Sequence, residues 1–386
     1  MKRIGVFTAT RAEFGLLLPV IRALEASATL EPAVIVSGAH LSERHGMTVR
    51  DIEAEGVAIA ARVPVPLISD RPVAIAADMA ATLKGCAEAY AALKLDAVLM
   101  LGDRTELLAA AAAAVPLALP VLHMEGGHQT LGAVDDAIRH AVSQLAAVHF
   151  TAAEPYRQRL IRMGAAPDRV FTVGSTAADN LRAFGRSTRA EVEAELGLDL
   201  SPGFILATFH PETLGALSPE AQIKAFLAGL EAGRAGRKLL VTLPNTDAGS
   251  NAVRERIERW TAANTDWATA KTSLGARLYL AALTACDAVA GNSSSGVIEA
   301  PIMGVPSVNV GDRQAGRLRP PGVIDAPLEP AAIAMALHRA LDPAFRAEAG
   351  IAPPPFGDGR TAERIVAVLE RTIFEGLSRK TFVDQA

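Results

Sequence analysis

The sequence predicts an α/β protein built from two doubly wound units, and three features of its 386 residues carry that expectation. Short apolar runs alternate with amphipathic runs from one end to the other, the pattern of parallel strands joined by helical crossovers. The chain is too long for one compact core, so two domains are expected. Finally, the loops after the apolar runs are unusually polar: "TATRAE", "LGDRTE" and "HMEGGHQT" in the first half, "FHPET", "PNTD" and "GNSSSG" in the second. Open parallel sheets bind ligands at that end of their strands.

In the first half, strands are expected at "RIGVFTA", "PAVIVSG", "DAVLMLG", "PVLHME", "AVHFTA" and "RVFTVGS". Between them "EFGLLLPVIRALEAS", "VAIAADMAATLKGCAEAYAALK" and "AVDDAIRHAVSQLA" repeat apolar residues at helical spacing. In the second half "FILATFH", "KLLVTLPN", "WATAKT", "DAVAGNS" and "PSVNVG" read as strands in the same way. The break between the halves is expected in residues 183–203, a polar, glycine-containing stretch with no strand. That sets the units at 1–185 and 186–365, with 366–386 as a helix end and tail. The Pro/Gly-rich "DPAFRAEAGIAPPPFGDGR" reads as a surface connection to the last helix, and "RKTFVDQA" as a loosely held end.

Hydrophobic residues make up 50% of the chain and charged residues 21%, which supplies ample core. A net charge of −4 gives no reason to expect nucleic acid or an anionic membrane as partner. Cys86 and Cys286 lie far apart, without metal-type spacing or a disulfide framework. No stretch of about 18 apolar residues runs free of Gly, Pro or charge, and the first residues enter a strand at once. A cytoplasmic protein is therefore expected.

The candidate chemistry gathers in the polar loops. In "GNSSSGVIEAPIMG", Ser293, Ser294, Ser295 and Gly296 open what reads as a short helix, and three serines exceed what a cap needs. Hydroxyls and free N–H groups at a helix start suit a phosphate. Asp103 follows "AVLMLG", where capping and catalysis are both open. Glu125 precedes two glycines and is a partly desolvated carboxylate suited to proton transfer. Asp136 reads as a helix-dipole partner, and Asp135 stands four residues before Arg139. His210, leading into a Pro-containing loop, is an acid/base or phosphate candidate. Arg11, Arg104, Arg139, Arg313 and Arg317 are the basic candidates. The spacing of His123, Glu125 and His128 does not favour a metal site. Neither GxGxxG, GxxxxGK[ST] nor GxSxG occurs, so dinucleotide, P-loop and serine-hydrolase readings lose their best support.

Taken in order, "LGDRTELLAAA", "GGHQTLGAVDDAIRHA", "VGSTAADNL", "FHPETL", "PNTDAGSN" and "GNSSSGVIEAPIMGVPSVNVGDRQAGR" resemble the hydrolysing UDP-N-acetylglucosamine 2-epimerases of sialic and legionaminic acid biosynthesis. The resemblance implies two Rossmann-like domains of glycosyltransferase-B type with an interdomain active-site cleft, and a nucleotide bound mostly by the second. It implies that Ser293, Ser294, Ser295 and Gly296 hold the diphosphate and Glu299 the ribose hydroxyls. Arg11, His210 and Arg313 fall in the loops around diphosphate and sugar. Asp103, Glu125 and Asp135 match the catalytic carboxylates, and Arg139 their neighbouring arginine. No cofactor or metal is implied; the partner is a nucleotide sugar, in a homodimer or higher homo-oligomer serving a bacterial surface polysaccharide. One departure stands out. Hydrolysing members commonly read "HIHGGE" where this chain has "HMEGGH", so its acid resembles that of the non-hydrolysing "HVEAG" epimerases and His128 replaces the usual glutamate.

Overall fold

Among the described residues every strand pairing is parallel. The computed structural model describes residues 1–245, 247–351 and 355–384. The first sheet holds β1 (Lys2–Thr8), β2 (Leu30–Ser37), β3 (Ile59–Val63), β4 (Ala97–Leu101), β5 (Val121–Met124), β6 (Val148–Thr151) and β7 (Val170–Thr172). The second holds β8 (Phe204–Thr208), β9 (Lys238–Thr242), β10 (Ala268–Lys271), β11 (Ala288–Gly291), β12 (Ser307–Val310) and β13 (Val323–Ala326). Their orders are β3-β2-β1-β4-β5-β6-β7 and β10-β9-β8-β11-β12-β13. Both orders reverse direction once, between β1 and β4 and between β8 and β11. Such a switch point leaves a crevice between the two departing loops, the usual ligand position in a doubly wound sheet.

All the expected strands form. Two edge strands were not expected. β3 is half-exposed along most of its length, and β13 is four residues with alternating burial, so neither shows the continuous apolar run of a central parallel strand. The serine helix is also shorter than expected. Ser294–Gly296 is a 3-10 turn, and only Glu299–Ile302 is α-helical. Serine, glycine and two β-branched residues favour a long helix poorly, and Pro301 follows at once. Within the Pro/Gly-rich connection Pro343–Ala349 is helical, while its residues 352–354 lie outside the described residues. So do 385 and 386 of the closing tail.

The chain divides into two compact units. One comprises Met1–His128, Asp135–Asn180 and the residues from Phe356 on; the other comprises Gln129–Val134 and Leu181–Pro355. In the first unit the helix Arg11–Glu25 and the late helix Thr361–Arg371 share a core that includes Leu17, Ile21, Ile365 and Leu369. Asp179 accepts from the backbone N–H groups of Thr361 and Ala362, at 3.0 and 2.8 Å, and so caps that late helix. In the second unit the excursion Gln129–Val134 is held by its backbone. Leu131 donates to the Ala315 carbonyl, and Leu214 donates to the carbonyl of Gly132.

The loop after β1 is shaped by a buried acid. Glu13 accepts from the N–H groups of Ala9 (2.7 Å) and Thr10 (3.2 Å), tying the loop to the helix that Arg11 opens. Burial pushes its carboxyl up to about 7, against the lowering effect of those donors. A carboxyl raised in the folded state contributes stability that is complete below its unfolded value of 4.5 and is lost as pH rises through about 7. Glu13→Gln keeps an acceptor and has no charge to bury. Its melting temperature should match the parent at acid pH and exceed it by several degrees above neutrality. A difference that does not grow across that window would contradict this account.

Candidate functional site

In the first unit the site grows from the ends of β4 and β5. β4 is buried from Ala97 to Leu101 and delivers Asp103 just past the sheet. Asp103 does not cap the following helix, Thr105–Ala114, whose N-cap is Arg104. It meets Arg139 instead. The helix Asp135–Leu145 buries Ile138, Arg139, Val142 and Ser143 on one face, so the arginine points inward and is 1% exposed. Its guanidinium pairs with Asp103, lies 3.5 Å from Asp136 and donates to the His128 carbonyl at 3.2 Å. The Asp136 reading as a pure dipole partner therefore gives way to an ion pair. Asp135 is the first residue of that helix and half-buried.

Glu125 follows β5 with a φ of +63°, a left-handed conformation that costs a non-glycine residue about 1–2 kcal/mol. Its Oε2 is 2.7 Å from His128 Nε2, and the His128 ring stacks on Tyr156 with centroids 3.8 Å apart. Gly127 between them also has a positive φ, and a Cβ there would run into the Tyr156 carbonyl. Arg159 donates to the Gly127 carbonyl, which pins the same turn. His123 behaves differently. Its nitrogens lie 2.8 Å from the Gly102 carbonyl and 3.1 Å from Ser143 Oγ, and burial pushes it down to about 4, so it is a neutral scaffold residue. No group of three His, Cys, Asp or Glu among the described residues is arranged to hold a metal.

In the second unit the site forms at the β8/β11 switch. Gly291 ends β11 where a Cβ would strike the Thr208 carbonyl, so the two strand ends approach as only glycine allows. Asn292 follows, fully buried. Its Oδ1 accepts from the His210 N–H and its Nδ2 donates to the His210 carbonyl, both at 2.7 Å. The Asn292 carbonyl accepts from Arg313 (3.3 Å) and Gln314 (2.8 Å). His210 Nδ1 lies 3.4 Å from Asp247, and Arg313 reaches the same oxygen at 3.9 Å. Glu212 accepts from the N–H groups of Asp312 and Arg313, and burial raises its carboxyl despite them.

The serine turn is similarly wired. Ser293 accepts from the Ser295 N–H at 3.4 Å, and Ser307 donates to the Gly296 carbonyl. Tyr279 donates to Ser295 Oγ at 2.8 Å, so the serine's own proton is directed elsewhere. Glu299 opens the one-turn helix beyond. Asn292, Asp247, Glu212 and Tyr279 were not among the sequence candidates. The first three stand in the polar loops already noted; Tyr279, inside an apolar helix, gave no signal.

The protein-family model described as UDP-N-acetylglucosamine 2-epimerase matches residues 22–370. A hydrolysing GDP/UDP-N,N'-diacetylbacillosamine 2-epimerase of Campylobacter jejuni is 34% identical over 325 residues, 84% of each chain. A hydrolysing UDP-N,N'-diacetylbacillosamine 2-epimerase of Legionella pneumophila is 34% identical over 371 residues, 96% of each. Among solved structures, UDP-GlcNAc 2-epimerase of Neisseria meningitidis bound to UDP-GlcNAc superposes with a TM-score of 0.80 at 19% identity. That match covers 96% of this chain and all of the other. The two doubly wound units are thus of the glycosyltransferase-B type.

Removing Arg139 should leave Asp103 and Asp136 without their buried counter-charge and open a cavity. Arg139→Ala is expected to cost roughly 3–5 kcal/mol, read as a lowered urea midpoint. Arg139→Met combined with Asp103→Asn should recover part of that loss, because the stranded charge is gone. Equal loss in both variants would show that packing, not charge, sets the cost.

Proposed function

The chain belongs to the hydrolysing branch of the UDP-N-acetylglucosamine 2-epimerase family, and from that premise we propose which sugar it takes and how its residues divide the work. It is a hydrolysing UDP-sugar 2-epimerase. The sugar is a 2,4-diacetamido hexose, and the product is the free 2-epimer. The names of the Campylobacter and Legionella relatives support that choice over UDP-N-acetylglucosamine.

The observation that carries the division of roles is that each unit gathers polar groups at the carboxyl ends of its own strands, the paired carboxylates after β4 and β5 in one and the serine turn after β11 in the other. Diphosphate is held by Ser293, Ser294, Ser295 and Gly296 with Arg11, His210 and Arg313, and the ribose hydroxyls by Glu299. Those donors stabilise charge on the departing oxygen. Asp103, Glu125 and Asp135 handle protons at C2, with Arg139 holding Asp103 in place.

The C2 hydrogen is weakly acidic, so the reaction runs as an elimination. A carboxylate takes the C2 proton, the C1–O bond breaks with its electron pair leaving on UDP, and a C1=C2 double bond forms. Water then adds its oxygen to C1, losing one proton to a carboxylate, while an acid delivers a proton to the opposite face of C2. Two carboxyl groups in different protonation states are needed, and their unlike environments suit that.

In deuterium oxide the product should carry deuterium at C2, and in oxygen-18 water the released UDP should carry no heavy oxygen. Heavy oxygen on the β-phosphate would establish P–O cleavage and end the elimination scheme. Proton NMR of parallel reactions tests the sugar: faster turnover of UDP-N-acetylglucosamine than of the diacetamido substrate would reverse the proposed preference. Ser294→Ala and Glu299→Ala should weaken UDP binding about tenfold with kcat little changed. Asp103→Asn and Glu125→Gln should bind UDP normally and lower kcat by about 100-fold or more.

A further inference from the structure

His128 has no part in the scheme above, yet it is among the most tightly held side chains of the first unit. Its ring is 1% exposed and stacked at 24° on Tyr156, with Nε2 2.7 Å from a Glu125 carboxylate oxygen that lies out of line for a hydrogen bond. A histidine serving only the core is content with partners such as those of His123, a backbone carbonyl and a serine hydroxyl. His128 instead engages a carboxylate whose side chain retains 13% exposure and whose backbone sits in the left-handed region. The turn is fixed on three sides. Arg139 donates to the His128 carbonyl, Arg159 donates to that of Gly127, and Gly127 lies flush against Tyr156. Strain held by so many contacts belongs to a site rather than to a chance loop.

We propose that His128 is a positioning residue whose imidazole, packed against the Glu125 carboxylate, orients that carboxylate for its work at C2. This rests on the reading of Glu125 as a C2 acid or base. The pairing also accounts for the departure of "HMEGGH" from the common hydrolysing pattern: both residues of the pair, a carboxylate and an imidazole, are present across the same four-residue turn. The charged and titratable groups around the contact are His123 on β5, Arg139 from the helix Asp135–Leu145, itself paired with Asp103 and Asp136, and Tyr156 and Arg159 from the helix Glu154–Arg162.

His128→Gln and His128→Phe, compared with the parent enzyme, test the idea. The first keeps a hydrogen-bonding group, and the second keeps only the stack on Tyr156. Both should bind UDP normally by calorimetry. His128→Phe should lose at least about tenfold in kcat and displace one limb of the kcat–pH profile. His128→Gln should restore part of the rate but leave the limb displaced, because the amide does not titrate. Parent-like profiles in both, with rate losses that merely follow melting temperature, would overturn the proposal and make His128 structural. A second measurement needs no His128 variant. Histidine-ring NMR of the intact chain should show a buried imidazole whose signals move in Glu125→Gln; unmoved rings would overturn the pair as well. Full turnover in Glu125→Gln is a different outcome, since it removes Glu125 from the chemistry whatever the His128 variants do.

Discussion

A guanidinium taken out of water must be met on every side, and the arrangement of the first unit's site follows from how Arg139 is met. Burying such an ion costs several kcal/mol unless its partners are well placed. Here the partners are Asp103 from the loop after β4, Asp136 one turn earlier on its own helix, and the carbonyl of His128. One cation therefore fixes the strand end, the helix register and the turn after β5 at once. Asp103 and Asp136 are thus set by a shared centre rather than by independent loops.

The second unit centres instead on a neutral residue. Asn292 saturates both sides of its amide on the His210 backbone, while its own carbonyl gathers Arg313 and Gln314. Asp247 then meets both His210 and Arg313, so the charges of this unit are gathered around an amide rather than around a guanidinium. Tyr279 extends the same logic by occupying an acceptor position of Ser295, leaving that hydroxyl to donate.

How far the sequence announced this varies with the physics. Central strands such as β4 and β8 are buried on both faces and read as unbroken apolar runs, so they were legible. The edge strands β3 and β13 have one side open and little pattern to read. The polar loops at the strand ends hold the candidate residues of each unit, including the serine turn and Glu125. Partnerships were less legible. Helical spacing sets Asp135 beside Arg139, but it does not show that burial turns the arginine toward Asp103, a contact made across 36 residues. Glu13 reads as an ordinary first-turn acid until its burial is known. Such facts belong to the folded chain, because they depend on which face of each helix the sheet claims.

The course of the chain through its two units has a consequence for how the molecule comes into being. It leaves the first unit after His128, returns at Asp135, leaves again after Asn180 and returns at Phe356. The last return brings Ile365 and Leu369 into the same core as Leu17 and Ile21. On the ribosome the first sheet must therefore wait, incompletely sealed, until the residues beyond Phe356 have been made. Domains of multidomain chains usually complete themselves in order of synthesis. Here the second unit, whose main segment is continuous, is positioned to finish before the first. A nascent chain arrested before residue 356 exposes the apolar flank of its earliest helix, which is where a chaperone would find it.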